Sequence, residues 1–126
     1  GVKYLPDIET DVLLVTLNKS EKEYSPSTMY ADYSINDHLF RWQAQSTTSI
    51  KSKTAKRYFN HDEIGSTILL FVRNDKKNSL GSAPYKFLGK VHYVSHTGDR
   101  PVSIVWKLEV AIPHDMLKLS NKLCAG

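Results

Sequence analysis

Residues 66–72 read STILLFV, the clearest strand signal in the chain. The stretch is rich in β-branched and aromatic side chains, which pack well on a pleated sheet, and neither Gly nor Pro interrupts it. The residues that follow, RNDKKNSLGSAP (73–84), are polar and contain both Gly and Pro, a composition typical of a connection between strands. These two segments predict a strand followed by a hairpin-like loop.

Four further segments predict strands on either side of this one. They are DVLLVTL (11–17), LFRWQAQ (39–45), YKFLGKVHYVS (85–95) and VSIVWKLEVAI (102–112). In the second of them, the two-residue period of a strand places Phe40 and Trp42 on one face. Gly89 interrupts the third, where we expect a bulge or a corner of a barrel.

Two short helices complete the predicted fold. One is MYADYSIN (29–36), and the other covers residues 113–119, where Pro113 suits a first helical turn. About five strands that follow one another in sequence, with two short helices, predict a mainly β (α+β) fold. We expect a mainly antiparallel sheet that curls into a barrel.

Length and composition set the broad class of the protein. A chain of 126 residues, 40% of them apolar, is expected to fold as a single domain over residues 1–126. No apolar run approaches the length of a membrane span, and the first residues, GVKYLPDIE, lack a signal-peptide core, so we expect a soluble protein that is not exported. A single cysteine, Cys124, fits a reducing compartment and predicts a cytoplasmic location.

The charge of the chain is mildly positive. A formal net charge of +4 favours a polyanionic partner without requiring one. Seven cations fall into two groups, namely Lys51, Lys53, Lys56 and Arg57, and then Arg73, Lys76 and Lys77. The ordinary interpretation of each group is a solvated loop.

No common catalytic or phosphate-binding motif is present. His61, Asp62 and Glu63 are adjacent, but in a loop between two strands they are best interpreted as a solvated turn. His92 and His96 could share one face of a strand, yet two histidines without a third ligand make a poor metal site. The sequence therefore assigns no catalytic residue, no metal and no cofactor.

The segment LFRWQAQSTTS (39–49) combines aromatic side chains with amides and hydroxyls. Polar side chains beside an inward-facing Trp42 are unfavourable unless they find hydrogen-bond partners, and a polar pocket would supply them. Aromatic rings can stack on a nucleobase, amides can read its edge and cations can hold the flanking phosphates. The pattern suits a pocket for a base, although each single aromatic side chain fits a β-rich core equally well.

Two motifs give the chain a family resemblance. The most specific elements are FRWQAQSTTS (40–49) and HYVSHTGDRP (92–101), and the other matching segments are TDVLLVTLNKSEKEYSPSTMYADYSIN (10–36), RYFNH, LLFVR, PYKFLGK and IVWKLEVAIP. Together they resemble a C-terminal domain of unknown function that follows a phospholipase-D-like nuclease and a DEAD/DEAH-box helicase. Its best understood relatives are modification-dependent (type IV) restriction enzymes of the SauUSI kind. In these enzymes the domain is taken to be the reader of modified DNA, with an SRA-like fold of the PUA-like barrel group. Ala44 departs from the usual Ser of the first motif.

The resemblance implies a non-catalytic DNA-binding domain. It would flip 5-methylcytosine or 5-hydroxymethylcytosine out of double-stranded DNA into a pocket, and it would direct a linked helicase and nuclease to that site. The pocket residues implied by the matched regions are Tyr30, Asp32, Tyr33, Phe40, Trp42, Gln43, Gln45, Ser46 and Tyr93. The residues implied to contact the DNA backbone are Thr48, Lys53, Lys56, Arg57, His61 and His96.

Two other interpretations remain open from the sequence. One is a PUA-like RNA-binding module, because its barrel would give the same strand pattern. The other is a small hydrolase that uses His61, Asp62 or His96.

Overall fold

One seven-stranded mixed sheet dominates the structure. The computed structural model describes residues 1–17 and 32–116. The sheet contains β1 (Val2–Leu5), β2 (Thr10–Thr16), β3 (Tyr33–Ser34), β4 (Leu39–Gln43), β5 (Thr67–Arg73), β8 (Lys86–Thr97) and β9 (Ser103–Leu108). A short hairpin, β6 (Lys77–Asn78) and β7 (Gly81–Ser82), lies in the connection between β5 and β8, as predicted. Outside the sheet are a 3₁₀ turn (Pro6–Ile8) and the helix α1 (Lys53–Ile64).

The strand order is β1-β2-β5-β8-β9-β4-β3. All five predicted strands are present, so the prediction of a mainly β fold is confirmed. Five of the six strand pairs in this sheet are antiparallel and one, β2 with β5, is parallel, so the prediction of a mainly antiparallel sheet is also confirmed for the described residues. The predicted barrel does not form there, because β1 and β3 lie at two open edges. A parallel pair needs a crossover connection, and here the crossover contains β3, β4 and α1.

Helix α1 was predicted to be a loop, and the local sequence explains why it is a helix. The Ser52 hydroxyl accepts a hydrogen bond from the Ala55 amide at 3.1 Å, which caps the N-terminus. Gly65 adopts a left-handed conformation with φ of 76° and ends the helix. Only Ala55, Tyr58 and His61 are buried, so the apolar stripe is narrow and the cations Lys53 and Lys56 dominate the pattern.

The hydrophobic core lies between the inner face of the sheet and α1. It includes Leu13, Val15, Phe40, Trp42, Tyr58, Ile68, Leu70, Val72, Val91, Ile104, Trp106 and Leu108, each at most 4% exposed. The Trp42 ring lies 5.5 Å from the Tyr58 ring and 6.2 Å from the Trp106 ring, measured between centroids. The predicted inward orientation of Phe40 and Trp42 is confirmed.

A buried ion pair joins α1 to β2. Arg57 donates two hydrogen bonds to the Asp11 carboxylate, from Nε at 2.7 Å and from one terminal nitrogen at 2.8 Å. Asp11 is 1% exposed, and the guanidinium carbon lies 3.8 Å from the centroid of the Tyr4 ring. The hydrogen bond to Asp11 also raises the pKa of Arg57. Arg57 is therefore a structural residue of this fold.

Several element boundaries differ from the prediction. Residues 32–36 are not helical, because Tyr33–Ser34 pairs with β4, while residues 29–31 of that predicted helix lie outside the described residues. β9 ends at Leu108, earlier than the predicted residue 112, and β8 continues to Thr97. The last predicted helix begins at residue 114, and its residues 117–119 lie outside the described part.

The bulge predicted at Gly89 is confirmed. Leu70 pairs with Gly89, whereas the next residue, Phe71, pairs with Phe87, so β8 carries one extra residue at this point. Gly89 has a φ of 105°, which a residue with a Cβ rarely adopts. Within the described part of the chain, none of the helices is both long and apolar enough to cross a membrane.

Candidate ligand-binding cavity

A cavity of about 360 Å³ lies between two strands that are not neighbours in the sheet, β2 and β4. Its lining consists of Gly1, Val2, Leu14, Val15, Thr16, Asp32, Trp42, Gln43, Ala44, Gln45, Arg73, Lys76 and Tyr85. Because β5, β8 and β9 separate β2 from β4 in the sheet, the sheet must curl to bring these strands to one cavity. The volume falls within the range of small-molecule pockets, about 300–1,000 Å³.

The amide-rich segment after Trp42 forms one wall of the cavity. Gln43 ends β4, and its backbone N–H donates to the Asp32 carboxylate at 2.7 Å. The Ala44 N–H donates to the Val102 carbonyl at 2.9 Å, which holds the chain as it leaves the strand. Gln43, Gln45 and Asp32 therefore reach the cavity from a backbone that is fixed by hydrogen bonds.

A second wall carries positive charge and an aromatic ring. The Arg73 Nε donates to the Thr16 hydroxyl at 2.9 Å, and one terminal nitrogen donates to the Ala83 carbonyl at 3.0 Å. Its guanidinium carbon lies 4.3 Å from the centroid of the Tyr85 ring. Lys76 adds a second cation to the same lining. The cavity thus combines a carboxylate, two amides, two cations and aromatic rings.

Four of the nine predicted pocket residues line this cavity: Asp32, Trp42, Gln43 and Gln45. The other predicted pocket residues that the structure describes lie outside this cavity. Phe40 is a core residue, 1% exposed, and Tyr33 lies at the sheet edge with the Arg41 guanidinium 5.6 Å from its ring centroid. Ser46 is exposed and outside the lining, Tyr93 belongs to a separate surface, and Tyr30 lies outside the described residues.

The predicted DNA-backbone residues fall into two groups. Lys53, Lys56 and His96 are exposed and Thr48 is half-buried, so these side chains can be reached from solvent. Arg57 is bound to Asp11. His61 is 1% exposed, so its side chain is not accessible to a phosphate in this structure.

His96, one of these accessible residues, adjoins two half-buried aromatic rings. The His96 ring stacks on Phe59 with a centroid distance of 4.1 Å and an interplanar angle of 13°. The Tyr93 hydroxyl lies 2.6 Å from His96 Nδ1. Lys53, Lys56 and Phe59 follow one another at three-residue intervals on α1 and so lie along one side of it. We call Lys53, Lys56, Phe59, Tyr93 and His96 the α1 surface.

A histidine cluster lies at the C-terminal end of α1. His92 Nδ1 is 2.8 Å from the Asp62 carboxylate, and His92 Nε2 is 2.6 Å from the Glu109 carboxylate. The hydrogen bond to Glu109, followed by that to Asp62, raises the pKa of His92. His61 lies beside His92, with ring centroids 5.8 Å apart. Sequence reasoning noted His61, Asp62 and His92 but missed that the fold brings them together with Glu109.

Sequence reasoning also missed Arg73, Lys76 and Tyr85 as cavity residues. The sequence feature that could have indicated Arg73 and Lys76 is the second basic group, for which the ordinary interpretation is a solvated loop. Only the curl of the sheet places the end of β5 beside the end of β4, and no spacing in the sequence reports that curl.

Comparison with known proteins identifies the family. Residues 1–119 match the family model described as Domain of unknown function (DUF3427). Because the match covers most of the chain, the protein belongs to this family. None of the curated proteins matches the chain.

Proposed function

We propose that this member of the DUF3427 family recognises double-stranded DNA that contains 5-methylcytosine or 5-hydroxymethylcytosine, and that it binds the flipped base in the cavity between β2 and β4. The observation that carries the proposal is the composition of that cavity, where Asp32, Gln43 and Gln45 meet the cations Arg73 and Lys76. The resemblance of the two sequence motifs to the reader domains of type IV restriction enzymes supplies the identity of the base.

The polar wall suits the Watson–Crick edge of cytosine. That edge offers an amine donor at N4 and acceptors at N3 and O2. A carboxylate accepts from the cytosine N4 amine, and it has enough lone pairs to do so while Asp32 also holds the Gln43 amide. The side-chain amides of Gln43 and Gln45 can donate to the acceptors on the same edge. We therefore assign base reading to Asp32, Gln43 and Gln45.

The apolar lining suits the ring and its 5-substituent. Val2, Leu14, Val15 and Ala44 supply an apolar surface of the kind that a methyl group prefers. Tyr85 supplies an aromatic ring in the same cavity, and stacking of a base on such a ring contributes about 1–3 kcal/mol. Extrusion of a base from the duplex costs a few kcal/mol, so these contacts are needed for flipping to be favourable.

Phosphate contacts are assigned to the half-buried Arg73 and to three exposed lysines. Arg73 and Lys76 at the cavity can hold the phosphates that flank a flipped nucleotide, while Lys53 and Lys56 on the α1 surface can hold the duplex further away. Binding through the α1 surface alone would be weak, independent of modification and strongly salt-dependent.

The proposal extends to the larger protein implied by the resemblance. The domain would carry no catalytic activity of its own and would direct a linked helicase and nuclease to modified DNA in the cytoplasm. Kinship with SRA-like and PUA-like domains is part of the same proposal.

Asp32 gives the sharpest test of the cavity. Asp32→Asn keeps an oxygen that can accept from the Gln43 amide, but it replaces the other oxygen with an amine that repels the cytosine amine. We expect the affinity for a methylated duplex to fall by roughly ten- to a hundredfold, which corresponds to 1–3 kcal/mol for one base contact. Fluorescence anisotropy with labelled duplexes measures this change.

Asp37→Asn is the matched control, because Asp37 is an exposed carboxylate outside the cavity lining. It should leave the affinity unchanged. If Asp32→Asn also leaves it unchanged while the protein remains folded, the base is not read at this wall. A higher affinity for structured RNA than for either duplex would favour the RNA-binding alternative.

Substitutions on the α1 surface are expected to affect DNA binding differently from substitutions in the cavity. Replacing Lys53 and Lys56 together by alanine should weaken plain and methylated duplexes by similar factors. The slope of log affinity against log salt should fall by about 2 in magnitude, because each lysine releases about one counterion. Titrations at several salt concentrations check this. Loss of the preference for modified cytosine alone would place these lysines at the base instead.

A further inference from the structure

The C-terminal end of α1 and the middle of β8 bring together three potential metal ligands. His61 and Asp62 come from α1 and His92 comes from β8. One ligand atom from each of these residues lies within 4.8 Å of the corresponding atoms of the other two. From this geometry we propose that His61, Asp62 and His92 form a binding site for a divalent transition metal. The site is independent of the proposed reading of DNA.

In each histidine, the ring nitrogen that would not bind the metal lies within hydrogen-bond distance of an oxygen atom. His61 Nδ1 lies 3.3 Å from the Ser66 carbonyl, which can only accept, so this nitrogen carries the proton and Nε2 presents a lone pair. His92 Nε2 lies 2.6 Å from the Glu109 carboxylate, which leaves Nδ1 facing Asp62. Metal-binding histidines nearly always have such a carbonyl or carboxylate partner on the other ring nitrogen.

The ligand atoms currently make hydrogen bonds that a metal would replace. His61 Nε2 accepts from the Tyr93 amide at 3.1 Å, and Asp62 lies 2.8 Å from His92 Nδ1. Coordination would exchange these contacts for metal–ligand bonds of about 2.0–2.2 Å. Asp62 and His92 can make the required shift, because their side chains are 58% and 39% exposed. His61 is fixed by burial, and its Nε2 has a single lone pair, so the Tyr93 amide has to turn away from this nitrogen before a metal can bind there.

Charge and access favour a cation at this place. A hollow of about 170 Å³ is bordered by all three ligands and by Glu109. The carboxylates of Asp62 and Glu109 supply two negative charges, and Lys90 at the edge of the same hollow offsets one of them. Two imidazoles and one carboxylate suit zinc, nickel or ferrous iron better than magnesium or calcium.

The fold gives the site a structural role. A metal bound by α1 and β8 would fasten the end of the helix to the sheet, where Asp62 and His92 now make the exposed contact. From the sequence alone, His92 and His96 were a poor pair because a third ligand was missing. In the structure, His61 and Asp62 lie beside His92 and complete a set of three possible ligands.

Zinc titration of the full chain without an affinity tag tests the proposal. Competition with a chromogenic chelator should show one zinc per chain, and zinc should raise the thermal unfolding midpoint. Glu109→Gln should weaken zinc binding by roughly ten- to a hundredfold, as expected for a residue that orients a ligand. Asp62→Asn and His92→Gln should each weaken it at least as much and abolish the thermal shift.

His38→Gln is the matched control, because the His38 side chain is 46% exposed, contacts Asp37 at 3.0 Å and is not one of the three proposed ligands. It should bind zinc as the unaltered protein does. The proposal is overturned if zinc binds no more tightly to the unaltered protein than to His92→Gln, or if no stoichiometric binding occurs. The cluster would then be an ion-pair network of His92 with Asp62 and Glu109.

Discussion

Arg57→Ala is expected to lower the free energy of unfolding by about 3–5 kcal/mol, although the family resemblance implies that Arg57 contacts the DNA backbone. The reason is Asp11, which is 1% exposed and would keep a buried charge without its partner. Domains of this size are typically stable by about 5–15 kcal/mol, so the loss would be a large share of the total. Chemical denaturation followed by circular dichroism measures it.

Lys56→Ala is the control from the same turn of α1. The Lys56 side chain is exposed, so this change should leave stability within about 0.5 kcal/mol while weakening DNA binding. The double variant Asp11→Leu, Arg57→Met should recover much of the stability, because it removes both charges. An Arg57→Ala protein that is as stable as Lys56→Ala would contradict the structural role of the ion pair.

Trp42→Ala should lower the free energy of unfolding by a similar amount, about 3–5 kcal/mol. Trp42 borders the cavity, but it is only 4% exposed and its ring packs against Tyr58 and Trp106. Any loss of affinity should therefore be the same for plain and modified duplexes, because it would come from a smaller folded population. Thermal unfolding and affinity for both duplexes should be measured on the same preparation.

Tyr85→Ala provides the contrast, because Tyr85 borders the cavity and is half-buried. It should cost little stability and should weaken binding to the modified duplex by roughly ten- to a hundredfold, because one stacked ring is lost.

A different result for Trp42→Ala would contradict this assignment. If that variant remains as stable as the unaltered protein and loses only the preference for modified cytosine, Trp42 stacks on the base and is not simply a core residue.

The strands were predictable because their own side chains carry the signal. STILLFV was predicted at residues 66–72, and β5 covers Thr67–Arg73, a difference of one residue at each end. Leu39–Gln43 alternates between half-buried and buried positions, as the pattern of Phe40 and Trp42 indicated. The bulge in β8 was predictable for the same reason, because a glycine inside a strand indicates one.

The helix and the cavity were not predictable in the same way. α1 buries only three side chains, one of them His61, so its apolar period is hidden by charged neighbours. The cavity depends on strands that are distant in the sheet, and Arg73 and Lys76 join Asp32 only through its curl. The sequence did identify Gln43 and Gln45, because amides that follow an inward-facing tryptophan need partners.

The most direct test of the proposed function is a comparison of three duplexes that are identical in sequence and differ at one cytosine, which is plain, 5-methylated or 5-hydroxymethylated. Affinities should be measured for the full chain at one salt concentration. We expect at least one modified duplex to bind roughly ten- to a hundredfold more tightly than the plain one, as a single specific base contact provides. Equal affinities for all three duplexes would contradict the reading of modified cytosine.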